Sequence, residues 1–176
     1  KSGDPGIFGR ATEELDAARA AGIAIEIVPG VTAASAAAAI LGCSLTERGK
    51  TDTLVLTTGR HCDDTAAEAW ADHALPGTTL VFYMGVAAAP RIARSLLAKD
   101  ISADTEVTIA ADMSKQTQRV LQTTVGDLAQ DLTRSGIAGN ALFIMRLPLR
   151  DTFGQDTGAG HAMNSIPLAS LSAKGT

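Results

Sequence analysis

The chain has 176 residues, of which 45% are hydrophobic, 19% charged and 3% aromatic. That much apolar side chain excludes a disordered chain, and the length accommodates one large domain or two small ones. A net charge of −4, no basic block and only six aromatic residues argue against a nucleic-acid-binding protein. Two cysteines, Cys43 and Cys62, are too few for a disulfide framework and fit a reducing, cytoplasmic setting. No apolar run has the length of a membrane span, the longest being the alanine-rich stretch from Ala33 to Leu41, so no membrane partner is expected. The opening Lys1-Ser2-Gly3-Asp4-Pro5 reads as a turn leaving a strand, without an initiator methionine or signal peptide. The chain is therefore expected to be a piece of something longer that lacks its front.

In chain order, Thr12-Glu13-Glu14 before a Leu/Ala-rich run predicts an N-cap and acidic first turn, with the helix stopping at Gly22. Ile23 to Val28 is β-branched and predicts a short strand. Pro29-Gly30 turns the chain into a second helix from Thr32 or Ala33 to Leu41. Thr53 to Thr57 predicts a strand ended by Gly59, and Asp63 or Asp64 caps a helix running to about His73. Thr78 to Tyr83 predicts a strand, and Pro90 to Ala98 a helix with proline in its first turn. Beyond Ala98 come two strands, Glu106 to Ala110 and Arg119 to Thr124, then a helix from Gly126 to Arg134 and a strand from Ala141 to Leu147. Strand–helix alternation followed by two strands in succession predicts an α/β fold whose later sheet is mixed. The polar stretch Gly42–Asp52 predicts the boundary between two αβ blocks. The Gly/Ser/Thr/Ala-rich residues from Asp151 to Thr176 predict a poorly ordered tail.

Three segments have the composition to carry chemistry. In Gly3-Asp4-Pro5-Gly6-Ile7-Phe8-Gly9-Arg10, closely spaced glycines let a ligand approach the main chain, and Asp4 has the chemistry to accept from a ribose or an amine; an ordinary strand-to-helix turn fits the same residues. In Pro29-Gly30-Val31-Thr32-Ala33-Ala34, a strand end runs into a helix opening with small residues. Free N–H groups and the helix dipole suit an anion there, and the same pattern suits a helix packed closely through its alanines. In Tyr83-Met84-Gly85, a methionine follows a strand, where α/β sheets gather ligands and where a thioether offers a polarisable surface to a flat ring; a plain core methionine is the alternative. His61-Cys62-Asp63-Asp64 carries metal-capable side chains, but adjacent positions do not converge on one ion and no second cluster completes a site, so no metal is expected. His73 and His161 stand alone as surface residues, Ser35 lacks a nucleophile-elbow setting, and the chain has neither a P-loop nor a G-x-G-x-x-G.

Read together, these segments resemble the tetrapyrrole methylase family, and within it the uroporphyrinogen-III C-methyltransferases. The family's G-D-P-x-x-F-G-R pattern resembles Gly3 to Arg10, and its P-G-[IV]-T-A-A resembles Pro29 to Ala34. Its P-L-T-x-R is similar to Ser44-Leu45-Thr46-Glu47-Arg48, and its T-L-V-x-Y-M-G to Thr79 to Gly85. Its Q-R-V with a following G-x-L helix is similar to Gln118-Arg119-Val120 and Gly126 to Leu132. The resemblance covers Lys1 to about Arg150. Serine stands at Ser2 where glycine is usual, Gly6 replaces a usual phenylalanine, and Ala11-Thr12 replaces a glycine pair.

The resemblance implies the class III tetrapyrrole methylase fold, two α/β domains with a cleft between them. Residues 1–48 would be the remainder of the N-terminal domain, 49–150 the C-terminal domain with its mixed sheet, and 151–176 the tail. It implies S-adenosylmethionine bound in the cleft at Ser2, Gly3, Asp4, Ile7, Thr32, Ala33, Met84 and Met113, no metal, and a homodimer. It implies methylation of uroporphyrinogen III to precorrin-2 in sirohaem and cobalamin synthesis. Arg10 and Arg48 are candidates to meet the substrate's carboxylates. The family's base and acid would lie upstream, so no catalytic residue is assigned and this chain alone is expected to be inactive. Other members of the fold, acting on a later corrin intermediate, RNA or diphthine, and a non-catalytic S-adenosylmethionine-binding module, remain open readings.

Overall fold

The computed structural model describes residues 1–60 and 69–149. The helix predicted from Asp63 or Asp64 is described only in its last part, a short 3-10 turn at Ala69–His73. His61, Cys62, Asp63, Asp64, His161 and the expected tail from Asp151 lie outside the described residues.

The first helix, α1, spans Ala11–Ala20. It begins two residues earlier than the sequence predicts, because Arg10 rather than Thr12 is the cap. Arg10 has φ 55°, and the left-handed turn there redirects the chain into the helix without a side-chain capping bond. Its end is as predicted. Gly22 at φ 69° follows the C-cap, and the N–H groups of Gly22 and Ile23 return to the carbonyls of Arg19 (3.0 Å) and Ala18 (2.9 Å), the paired closure that a left-handed glycine permits.

The strand predicted at Ile23 to Val28 does not form. The segment lies in no ladder, and every residue from Ala21 to Val31 is exposed, with Ile23 at 61% and Val28 at 71%. β-Branching suits these residues to an extended backbone, but a strand also needs a neighbour to pair with. None of the described strands lies beside this one.

Helix α2 spans Ala33–Ile40, with Thr32 as its N-cap. Among the described residues five strands follow: β1 (Thr53–Thr58), β2 (Thr78–Tyr83), β3 (Glu106–Ala111), β4 (Arg119–Thr124) and β5 (Ala141–Leu147). Helix α3 (Ala89–Leu97) carries Pro90 in its first turn, and α4 spans Leu128–Ser135. The strands make one sheet in the order β1-β2-β5-β3-β4. Only β1 and β2 pair in parallel, with Thr53 opposite Thr78. The other three pairings are antiparallel, so the expected mixed sheet forms. The physical reason is the chain path: β3 and β4 are joined without a helix, and β5 inserts between β2 and β3.

Side chains alternate across this sheet. Leu80 and Phe82 of β2, Val107 and Ile109 of β3, and Phe143 and Met145 of β5 face one core with α3, α4 and Trp70. Phe82 and Phe143 are opposite each other in the ladder, and the Trp70 ring meets Phe82 edge-on at 4.7 Å. Val81, Tyr83, Ala110, Leu142 and Ile144 face the other way and are covered by α2 through Ala34 and Ala37. Alanines on that helix face bring its backbone close to the sheet, which fixes where its N-terminus points.

Candidate functional site

β2 and β3 both run antiparallel to β5, and β1 runs with β2. The carboxyl ends of β1, β2 and β3 therefore reach the same edge of the sheet, the edge where open α/β sheets gather ligands. Three loops meet α2 there.

The Gly3–Arg10 loop is tied to the Pro29-Gly30 turn by one carboxylate. Asp4 Oδ1 accepts the Gly6 N–H at 2.8 Å and Oδ2 accepts the Gly30 N–H at 2.9 Å. Only glycine fits at position 30, since a Cβ there would stand 2.1 Å from the Gly3 carbonyl oxygen. Asp4 thus fastens the two loops to each other across 26 residues of chain.

The second tie is Tyr83, at the end of β2. Its hydroxyl lies 2.6 Å from Thr32 Oγ1 and accepts the buried Ala34 N–H at 3.1 Å. One of the orphan donors at the α2 N-terminus is therefore satisfied by a side chain from the sheet. The Phe8 ring packs against the Tyr83 ring, centroids 4.8 Å apart and tilted by 49°. Tyr83 joins the glycine loop, the helix N-terminus and the strand end. The Tyr83-Met84-Gly85 motif alone does not reveal this role; the signal is a phenol at the end of an apolar strand, whose hydroxyl needs a partner.

Tyr83 also lines an open cavity of about 210 Å³ whose walls include Ser2, Ala33, Met84 and Met113. Four of the eight positions expected to hold S-adenosylmethionine share it. Thr32 sits behind its wall on Tyr83, and Ile7 packs beside Tyr83 on the α2 side of the sheet. Gly3 and Asp4 are in the loop that contributes Ser2; Gly3 itself lines a separate groove between α1 and the Ile25–Gly30 segment. Met84 is not a core methionine: it is 40% exposed and has φ 53°.

Of the six non-glycine residues described with left-handed backbones, Phe8, Arg10, Met84, Asp112 and Ser114 belong to these loops. Such conformations persist where the surroundings hold them, and they gather at ligand sites. Asp112, on the cavity wall, accepts from Lys115 Nζ at 2.7 Å and from Thr117 Oγ1 at 3.3 Å. The Lys115 hydrogen bond, then its charge and the Thr117 bond, hold the Asp112 carboxyl below the usual carboxylate range. Lys115 and Asn140 also line the cavity. No sequence pattern pointed to them, since they reach it from separate loops.

The two arginines expected at the substrate lie outside the Met84 cavity. Arg10 points into solvent with its side chain 81% exposed and pairs with Glu13 at 3.1 Å. That hydrogen bond and charge, after one from Glu13's own backbone, hold the Glu13 carboxyl below its usual range. Arg48 is exposed in the turn closed by the Glu47–Thr51 bridge. Neither lines the Met84 cavity.

Residues 1–129 match the model of the Tetrapyrrole (Corrin/Porphyrin) Methylases, nearly three-quarters of the chain. The chain belongs to the tetrapyrrole methylase family. Among its curated relatives is a siroheme synthase of Stutzerimonas stutzeri, 37% identical over 145 residues, which cover 82% of this chain and 31% of that protein. Siroheme synthase 1 of Cronobacter sakazakii is 43% identical over 128 residues, 73% of this chain and 27% of the relative. The chain thus spans about a third of the length of these relatives. Among solved structures, a cobalt precorrin-4 methyltransferase superposes with a TM-score of 0.72 at 27% identity, covering 82% of this chain and 61% of that one. The uroporphyrin-III C-methyl transferase of Thermus thermophilus, solved with S-adenyl homocysteine, gives 0.68 at 28% identity, covering 82% and 60%. The mixed five-stranded α/β sheet is the fold of these tetrapyrrole methylases.

Proposed function

We propose that this chain forms the S-adenosylmethionine-binding part of a tetrapyrrole methyltransferase, and that the reaction is C-methylation of uroporphyrinogen III to precorrin-2 in sirohaem and cobalamin synthesis. The observation that carries the reading is the convergence of Ser2, Ala33, Met84 and Met113 on one cavity at the carboxyl edge of the sheet, in a chain of this family. Similarity to siroheme synthases and to a uroporphyrin-III C-methyl transferase supports the substrate.

The residues fit the donor chemically. The small side chains of Ser2 and Ala33 leave wall space for a nucleoside, and the Met84 thioether suits the face of a purine. The Tyr83–Thr32 and Asp4–Gly30 bonds hold these walls in place before a ligand arrives, which lowers the ordering cost of binding. When bound, the donor supplies an electrophilic methyl group on a sulfonium. The described residues bind and orient it, since methyl transfer depends chiefly on aligning donor and acceptor.

Calorimetry of this chain with S-adenosylhomocysteine tests the reading. One-site binding that Met84→Ala weakens is expected; absence of binding would overturn it. Activity is tested by incubation with labelled S-adenosylmethionine and uroporphyrinogen III. A protein of the relatives' full length is expected to give a dimethylated product. A later corrin intermediate is the second reading, favoured by the likeness to the cobalt precorrin-4 methyltransferase. Turnover across several tetrapyrroles separates the two.

A further inference from the structure

The cavity that Met84 lines has a further holding point besides Asp4 and Tyr83. β3 ends at Ala111, and the turn that leads on toward β4 brings Met113 onto the cavity wall and against the core face covered by α2. Met113 stands between two residues with left-handed backbones, Asp112 at φ 50° and Ser114 at φ 67°. Neither is glycine, so an L side chain resists this path and the turn needs something to hold it. The flexible Met113 side chain does not fix the turn by itself.

The Asp112 carboxylate supplies the hold. Both of its oxygens are engaged within the turn: Oδ1 accepts from Lys115 Nζ at 2.7 Å and Oδ2 from Thr117 Oγ1 at 3.3 Å. The main chain closes on the same residue. The Lys115 N–H donates to the Asp112 carbonyl at 3.0 Å, and the Asp112 N–H donates to the Asn140 carbonyl at 3.1 Å, which ties the turn to the residue before β5. The arrangement parallels Asp4, whose two oxygens hold the glycine loop. The Asp112 and Lys115 side chains are 33% and 58% exposed, and a pair so open to water adds little to the stability of the whole molecule. Its influence is on the turn itself.

We propose that Asp112 is a positioning residue for the methyl donor: by clamping Lys115 and Thr117 it keeps the turn in the shape that puts Met113 on the cavity wall, and donor affinity follows that clamp. The inference rests on the methyltransferase reading and adds residues to it, since the family resemblance places Met113 and gives Asp112, Lys115 and Thr117 no part. The apparent affinity for the donor scales with the fraction of molecules whose wall is already formed, so loosening the turn weakens binding without removing an atom that touches the donor. Asp112 and Lys115 themselves line the cavity, and Thr117 is outside its described walls. The Thr117 hydroxyl meets Asp112 Oδ2, so it acts on the donor through the clamp.

S-adenosylhomocysteine is titrated by calorimetry into the parent protein and into Asp112→Ala, Asp112→Asn, Lys115→Ala, Thr117→Val and the double variant Asp112→Ala/Lys115→Ala. Affinity is expected to fall about fivefold in Asp112→Ala, about threefold in Lys115→Ala and about twofold in Thr117→Val. The double variant is expected to match Asp112→Ala, because both substitutions open one clamp. Asp112→Asn keeps an acceptor oxygen and suits a left-handed backbone, so it is expected to recover most of the loss. The Met113 methyl resonance of the unliganded protein is expected to move in Asp112→Ala and Thr117→Val alike. Lys99→Ala breaks a comparable surface pair, Lys99 with Asp72 at 2.7 Å, whose members are outside the cavity's described walls, and is expected to change neither readout. Should Asp112→Ala fail to fold, which a melting curve detects, Lys115→Ala and Thr117→Val carry the test. Unchanged affinity in the clamp variants, or a Lys115→Ala loss that adds in full to that of Asp112→Ala, would overturn the inference. So would a loss in Asp112→Ala with Thr117→Val and the Met113 methyl unmoved, which would make Asp112 a direct contact of the donor. These outcomes leave the methyltransferase reading standing. Absence of S-adenosylhomocysteine binding by the parent would instead remove that reading, and the inference with it.

Discussion

Tyr83 illustrates how one side chain organises this site. Its ring is in the core face covered by α2, and its hydroxyl satisfies a helix N–H that would otherwise be buried and unpaired. Tyr83→Phe keeps the ring and removes that acceptor, leaving Ala34 unsatisfied at a cost of about 1–3 kcal/mol. The Thr32 hydroxyl loses its partner as well. A lowered Tm together with weaker S-adenosylhomocysteine binding is expected, whereas a purely structural tyrosine would change the first and spare the second. Asp112 gives a pH signature. Its carboxyl is held below the ordinary value of about 3.9 by Lys115 and Thr117, so the folded state binds the proton less readily than the unfolded chain. The stabilisation is therefore complete above the ordinary value and is lost as the pH falls through the lowered one. Carboxyl NMR is expected to show Asp112 titrating below the ordinary carboxylate range and returning toward it in Lys115→Ala.

Elements were legible in the sequence wherever pattern and partner agreed. The all-buried run of β2, the glycine-closed end of α1 and the proline-led α3 form essentially as composition and punctuation predict. The segment from Ile23 to Val28 has the same local credentials and forms no strand, because pairing is a property of the neighbour as much as of the segment. Exposed backbone without a ladder exchanges its hydrogens freely. Amides 24–28 are expected to exchange orders of magnitude faster than those of β2 in a hydrogen-exchange time course. Protection equal to that of β2 would show that the segment is paired in solution.

At the scale of the molecule, stability is concentrated in the double core of the sheet. Phe143 is fully buried, faces Phe82 across the ladder and packs in the larger core. Phe143→Ala is expected to destabilise by about 3–5 kcal/mol, a fall in Tm on the order of 10 °C by calorimetry. Among the described residues no helix is long and apolar enough to cross a membrane.

By itself the sequence determined the α/β class, most element boundaries, the mixed sheet and the family, because each rests on local periodicity, turn chemistry or an ordered set of short motifs. It also marked Ser2, Ala33, Met84 and Met113 as candidates without showing that they meet. Tertiary structure decided that these four share a wall and that Tyr83 and Asp4 hold the walls together. It also decided that Arg10 and Arg48 lie outside the cavity that Met84 lines. The reason is the sheet order. Placing β5 between β2 and β3 brings loops separated by dozens of residues to one edge, and no local pattern in the chain encodes that adjacency.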